Sequence, residues 1–184
     1  MRAYSIVSTP GSPKQITLCA DVAPGGIGSQ WFRGLRPGAE VRFKGPLGGF
    51  VFSRADSRAP LFVAQEIGIV PILSILRDLY DTGFGRPTTL VYWGRTPAWL
   101  PYDSEFRGLA RRQPGFAYHP VVETALADWI GLTGDVVPVV ERVAPSVSGL
   151  VGYVAGGAET IDRVRSVLVA RGLERKAVKW EKFW

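Results

Sequence analysis

Cysteine and histidine are almost missing from this sequence of 184 residues, which contains one of each, Cys19 and His119. A single thiol excludes an internal disulfide, and it excludes a plant-type iron–sulfur cluster, which needs four thiolates from the chain. Cys19 is therefore interpreted as a small, inert strand residue. His119 has no serine, cysteine or metal-ligand partner at a meaningful spacing, so we expect an ordinary strand histidine and no metal site.

Long hydrophobic runs are missing too. The longest apolar segments, 61–64 and 67–76, are too short or too interrupted to span a bilayer, and no charged-then-apolar leader opens the sequence. Hydrophobic residues still make up 46% of the chain, enough to build a core. We therefore expect a folded, soluble, cytoplasmic protein without a membrane span.

The charges form no cluster of one sign. Lysine and arginine number 22 against 16 aspartate and glutamate, a formal charge of +6 that favours anionic partners. The basic residues are scattered, and none is interleaved with aromatics as in a recognisable nucleic-acid module. We expect no nucleic-acid partner; a basic nucleic-acid-binding domain is an alternative that rests on charge alone.

The sequence has two parts that differ in their predicted pattern of strands and helices. Residues 1–57 contain β-favouring runs at 2–9, 15–22 and 40–44, and a short helix is predicted over 30–35. From 58 to 184 strands alternate with helices, which predicts a parallel sheet covered by helices, because parallel neighbours need crossover connections. The predicted strands are 61–64, 88–92, 116–122, 150–155 and 177–180, and the predicted helices are 69–80, 102–112, 136–142 and 160–171.

The first 50 residues carry three short motifs. Arg2 and Tyr4 share one strand face, where a guanidinium can pair with phosphate and a ring can stack on a flat heterocycle. A glycine-rich turn, 25–29, precedes the short helix, whose free amides can bind a phosphate. The third motif is Gly-Pro-Leu-Gly-Gly-Phe at 45–50. Taken singly, the first two are also typical of ordinary strands and of a turn with Ser29 as N-cap.

Together and in this order, the three motifs resemble the ferredoxin-NADP reductase superfamily. The resemblance implies a partial antiparallel flavin-binding β-barrel, incomplete within residues 1–57, followed by a doubly wound parallel-sheet nucleotide-binding domain at 58–184. It implies that Arg2 contacts the flavin diphosphate, that Tyr4 stacks on the isoalloxazine and that Ser5 lies near its reactive nitrogen. It also implies that the diphosphate is held by the turn at Gly26, Gly28 and Ser29.

The resemblance continues at the first strand of the second half. Residues 62–71 occupy the place of a family loop that binds the nicotinamide dinucleotide, and Gly68 and Pro71 match that loop. Residues 65–67, Gln-Glu-Ile, replace two glycines and a threonine, and a carboxylate near a diphosphate is unfavourable. Residues 91–96 resemble the family segment for the adenosine end, where Arg95 could accept a 2′-phosphate and so favour NADPH; an ordinary surface arginine is the alternative.

The last two motifs lie near the carboxyl end. Residues 152–161 resemble a family segment against the nicotinamide, with Gly156 matching and Ala155 in place of a thiol. The tail, 178–184, resembles the ending E-x-F, in which Glu181 lies near the active ring and Phe183 covers the flavin; Trp184 is extra and is a candidate for the stacking ring.

The resemblance implies an enzyme that passes electrons from NADH or NADPH through FAD to a protein acceptor, ferredoxin-like or an oxygenase component. The positive charge suits an acidic acceptor. The strands that precede the first motif in the family are absent, so we expect a missing segment or a partner chain to complete the barrel. The alternative is a non-catalytic binding or assembly subunit, favoured by residues 65–67 and by Ala155.

Overall fold

The computed structural model describes residues 2–11 and 14–183. Its centre is a sheet of six parallel strands in the order β4-β3-β2-β1-β5-β6. The predicted α/β architecture of the second half is therefore confirmed. In chain order the strands are β1 (Ala59–Gln65), β2 (Thr88–Gly94), β3 (Phe116–Val122), β4 (Leu132–Thr133), β5 (Leu150–Gly156) and β6 (Val178–Lys182).

Five helices accompany the sheet in the described residues: α1 (Ile27–Gly34), α2 (Ile69–Asp81), α3 (Asp103–Arg112), α4 (Val136–Val143) and α5 (Ala158–Ala170). The buried face of α2 packs with Phe62 and Ala64 of β1, whereas α4 and α5 pack with Leu61 and Val63. Alternate residues of β1 thus serve opposite layers, as the two-residue period of a strand requires. The sheet is covered on both faces, which is the doubly wound arrangement.

The amino-terminal part forms fewer strands than its β-favouring runs predict. In the described part of residues 2–58, β-structure is a single antiparallel bridge between Ile6 and Leu18, next to a bond from the Val7 amide to the Thr17 carbonyl. The run at 40–44 forms no strand. A strand needs a hydrogen-bonded neighbour, and Val41 and Phe43 remain exposed without one.

None of the helices in the described ranges has the length and apolar character needed to cross a membrane.

Candidate functional site

The loops that follow β1 and β5 meet at the carboxyl edge of the sheet. These strands are neighbours, but the chain leaves them in opposite directions, towards β2 and towards β6. Open α/β sheets bind ligands in the crevice at such a switch point. Gly68 lies so close to the end of β5 that a Cβ there would overlap the carbonyl oxygen of Ala155. The crevice therefore has a floor of backbone atoms.

Ser5 and Glu181 are hydrogen-bonded to each other although they lie 176 positions apart in the chain. The Ser5 hydroxyl donates to Oε1 of Glu181, and both side chains are partly buried. Glu181 lies on β6 opposite Ala155 of β5, and the amide of Phe183 donates to the Gly156 carbonyl at 3.0 Å. The predicted catalytic residues are thus brought together beside the crevice.

Tyr4 packs against the first turns of α1. Its ring meets Phe32 edge to face, with centroids 4.9 Å apart, and its hydroxyl lies where a Cβ on Gly28 would be. The first intrahelical bond of α1 runs from the Gln30 amide to the Gly26 carbonyl. The amides of 27–29 precede that bond and are available to a phosphate group.

The N-cap of α1 is Gly26, so the interpretation of Ser29 as the N-cap is wrong. Ser29 lies inside the first turn and is buried. The cap lies earlier because the helix begins at Ile27, three residues before the predicted start. Arg2 is exposed.

The segment that carries Tyr4 and Ser5 is docked onto α2. Val7 is buried in the same core cluster as the buried face of α2. The Ser74 hydroxyl donates to the Ser8 carbonyl at 2.8 Å, and the Arg77 guanidinium donates to the Val7 carbonyl at 3.4 Å. These contacts fix the amino-terminal segment relative to the sheet and hence to Glu181.

The β1–α2 loop uses its own side chains to occupy groups at the crevice. Gln65 Oε1 accepts a hydrogen bond from the Gly157 amide, just before α5, at 3.0 Å. Glu66 Oε1 lies 2.9 Å from Nε of Arg95, and the Arg95 guanidinium lies 3.7 Å from the centroid of the Trp99 ring. The Gly157 amide at the start of α5 is thus hydrogen-bonded to Gln65, and the Arg95 cation after β2 is paired with Glu66.

Tyr92 anchors that loop from below. Its single O–H donor is shared by the Glu66 carbonyl at 3.0 Å and the Pro101 carbonyl at 3.2 Å. Burial raises the pKa of Tyr92 far above its usual value, so the phenol stays protonated and acts as a donor. Pro71 is buried in the first turn of α2, where its missing amide proton costs no helical bond.

The amino-terminal residues match a known protein family, and the whole chain is similar to known reductases. Residues 1–52 match the family described as "Oxidoreductase FAD-binding domain". The chain is 28% identical over 189 residues to ferredoxin–NADP reductase B of Sorangium cellulosum, covering 99% of this chain and 78% of that protein. It is 27% identical to the glycine betaine monooxygenase reductase subunit of Pseudomonas aeruginosa, covering 100% of this chain and 51% of the relative.

A solved reductase structure has a similar fold. The cytochrome P450 reductase GcoB of Amycolatopsis superposes with a TM-score of 0.87 at 25% identity, covering 98% of this chain and 55% of that one. The chain is similar in sequence and in fold to reductases of the ferredoxin-NADP reductase type. Several of the relatives it matches are about twice its length, since it spans 51% of the betaine monooxygenase and propane monooxygenase reductases.

The residues of this chain fit a flavin at one side of the crevice. A tyrosine ring, a hydroxyl paired with a carboxylate, and three helix-start amides beside Gly28 are a donor set suited to a flat heterocycle with a diphosphate. Trp184 lies outside the described residues.

Sequence reasoning missed the partners of the β1–α2 loop. The only signal was that residues 65–67 depart from the superfamily motif. Which groups Gln65 and Glu66 reach depends on how β1, β2 and β5 are ordered in the sheet.

Proposed function

We propose that this chain is an FAD-dependent NAD(P)H oxidoreductase that passes electrons to a protein acceptor. The observation that carries the proposal is the hydrogen bond between Ser5 and Glu181. It joins the motif that opens the sequence to the motif that closes it, at the crevice where an α/β sheet binds its ligands. The similarity to ferredoxin–NADP reductase B and the match of residues 1–52 to an FAD-binding domain support it.

Each flavin-side residue has a role that follows from its position. The α1 amides hold the diphosphate, assisted by Gly26, Gly28, Ser29 and the exposed Arg2. The Tyr4 ring orients the flat ring system. Bound FAD supplies the conversion between two-electron and one-electron chemistry.

The Ser5–Glu181 pair moves a proton. The Ser5 hydroxyl already donates to Glu181 Oε1, so a proton taken up at the serine oxygen passes along an existing hydrogen bond to the carboxylate. Glu181 is partly buried, which keeps the carboxylate near solvent without exposing it fully. Phe183 packs against the core beside it and limits water at the site.

The pyridine dinucleotide takes the crevice between β1 and β5. Gly68 and Gly156 form its floor, Pro71 lies in the first turn of the helix whose start faces it, and Arg95 directly follows β2. We divide the chain accordingly into a flavin-binding part, 1–57, and a dinucleotide-binding part, 58–184.

The acceptor is an acidic protein, ferredoxin-like or an oxygenase component. The chain carries a formal charge of +6, and Lys182 is exposed next to Glu181. Opposite charge guides two redox proteins into contact. Relatives named as reductase components of monooxygenases support this choice of acceptor.

We also propose that further antiparallel strands, from another chain or from an additional segment, complete the flavin-binding part. Large apolar side chains stand exposed there, including Phe43 at 69% and Leu47 at 73%. Large exposed apolar side chains of this kind favour an interface.

One observation favours a second candidate, a non-catalytic subunit of the same fold. Gln65 and Glu66 occupy the Gly157 amide and Arg95, two groups that a dinucleotide would use. Such a subunit would bind FAD but would not be reduced by NADH or NADPH.

The test is anaerobic titration of the FAD-loaded protein with NADH and with NADPH while the visible flavin bands are followed. We expect bleaching, and in Glu181→Gln we expect reduction at least about tenfold slower with FAD binding retained. The control is Glu174→Gln, an exposed carboxylate paired with Lys176 at 3.2 Å, which should behave as wild type. No bleaching with either dinucleotide would favour the non-catalytic subunit.

A further inference from the structure

Glu66 is held in an unusual position at the mouth of the crevice. Its backbone has a φ of 47°, its carbonyl accepts a hydrogen bond from buried Tyr92, and only 7% of the residue is exposed. A non-glycine residue in this region is uncommon and costs free energy, so the surrounding structure must fix it. The carboxylate is therefore a permanent part of the site rather than a mobile surface charge.

Arg95 is fixed from two sides. Glu66 Oε1 binds its Nε at 2.9 Å, and its guanidinium plane lies over Trp99 at 3.7 Å. Stacking and an ion pair together restrict an otherwise flexible side chain. The Arg95 side chain is still 53% exposed, so a ligand in the crevice can reach its outer edge.

We propose that Glu66 is a specificity-determining residue that selects NADH over NADPH. The inference rests on the proposed function. Arg95 follows β2, and in dinucleotide-binding sheets an arginine near this strand end accommodates the 2′-phosphate of NADPH. Here Glu66 cancels the charge of that arginine.

The charge balance explains the selection. A 2′-phosphate is attracted by Arg95 but repelled by the Glu66 carboxylate beside it, and the two effects are similar because the charges are adjacent. NADPH gains little there and still loses hydration of its extra phosphate. The 2′-hydroxyl of NADH is neutral, and it can donate a hydrogen bond to the Glu66 carboxylate.

Gln65 acts in the same direction. Its side-chain oxygen accepts from the Gly157 amide at 3.0 Å, so a neutral acceptor takes the place that a phosphate oxygen could fill at the start of α5. Both side chains of the loop therefore lower the positive potential of the crevice, which weakens the more highly charged dinucleotide most.

The test is calorimetric titration of the whole chain with oxidised NAD and oxidised NADP, which reports binding without flavin reduction. We expect NAD to bind at least about tenfold more tightly than NADP to the wild type. In Glu66→Gln, we expect NADP affinity to rise about tenfold while NAD affinity changes less than about threefold, because Arg95 is freed.

Two further variants assign the effect. The double variant Glu66→Gln/Arg95→Gln should lose the gain for NADP, since the gain acts through Arg95. Arg95→Gln alone should lower NADP affinity more than NAD affinity, which gives a second test if the Glu66 variants do not fold. The control is Glu105→Gln, which removes a carboxylate charge from the ion pair with Arg77 at 2.7 Å. It should leave the ratio of NAD affinity to NADP affinity unchanged.

The outcomes separate the two proposals. Binding of both dinucleotides with a ratio that Glu66→Gln leaves unchanged, or with NADP preferred by the wild type, would overturn the role of Glu66 and leave the oxidoreductase intact. Binding of neither dinucleotide to the wild type and the Glu66 variant would overturn the proposed oxidoreductase and the selection with it.

Discussion

Replacing Gly68 with alanine tests whether close contact between the β1–α2 loop and β5 builds the crevice. A Cβ at Gly68 would overlap the Ala155 carbonyl oxygen, and it would lie 2.7 Å from the carbonyl carbon and 3.0 Å from the Gly156 nitrogen. These are backbone atoms of β5, which is paired on both sides by β1 and β6, so they cannot move aside as a flexible side chain would. The loop and β5 would have to separate.

The size of the effect follows from two opposing contributions. Gly68 has a φ of −58° and a ψ of −11°, which alanine adopts freely, so the backbone gains about 0.4–1 kcal/mol. Overpacking costs about 1–3 kcal/mol. We therefore expect a net loss of about 1–2 kcal/mol in the free energy of unfolding, and a melting temperature lower by about 2–8 °C.

Urea denaturation of Gly68→Ala, wild type and a control measures this loss. The control is Gly85→Ala, because no atom lies within 4 Å of the added Cβ and the backbone there is not left-handed. Its stability should stay within about 0.5 kcal/mol of wild type. Equal stabilities of the two variants would refute the contact between loop and strand.

Three further predictions concern single side chains. Tyr4→Ala removes the ring that packs on Phe32, and FAD retention in equilibrium dialysis should weaken about tenfold; unchanged retention would contradict a stacking role. Glu66→Gly removes a carboxylate and relieves a φ of 47°, so the affinity for NADP in calorimetry should rise at least about threefold; no change would show that the loop charge is irrelevant. Burial, and after it the charge of Arg142, lowers the pKa of His119 below 6.5. The unfolded chain therefore binds this proton more readily, and the free energy of unfolding should fall as the pH drops through 6.5. His119→Gln should remove this contribution to the pH dependence of stability between pH 8 and 6; identical pH profiles for the variant and the wild type would contradict the lowered pKa.

The α/β half was predictable because its signals are local and strong. The predicted strand 116–122 is β3 as observed, and the predicted helix 69–80 differs from α2 by one residue. Buried parallel strands are short apolar runs, and the helices between them show the helical period. The two-residue strand β4 was missed because it has no such pattern and exists only through its pairing with Val121 and Val122.

The candidate site was predictable only in part. Motif resemblance named Ser5 and Glu181, and the structure brings them together. The partners of Gln65 and Glu66 were not predictable, because those contacts depend on strand order rather than on neighbours in sequence. The prediction of strands in the amino-terminal runs was largely wrong. β-propensity measures how well a residue fits a sheet, and it does not show whether a neighbouring strand is present to pair with.

Whether this chain forms a flavin site is measured by the visible absorption spectrum of the purified protein titrated with FAD. We expect the flavin bands to shift and sharpen on binding, the protein to retain the flavin through gel filtration, and Tyr4→Ala to lose it. A protein that is folded by circular dichroism yet leaves the FAD spectrum unchanged would show that no flavin site forms.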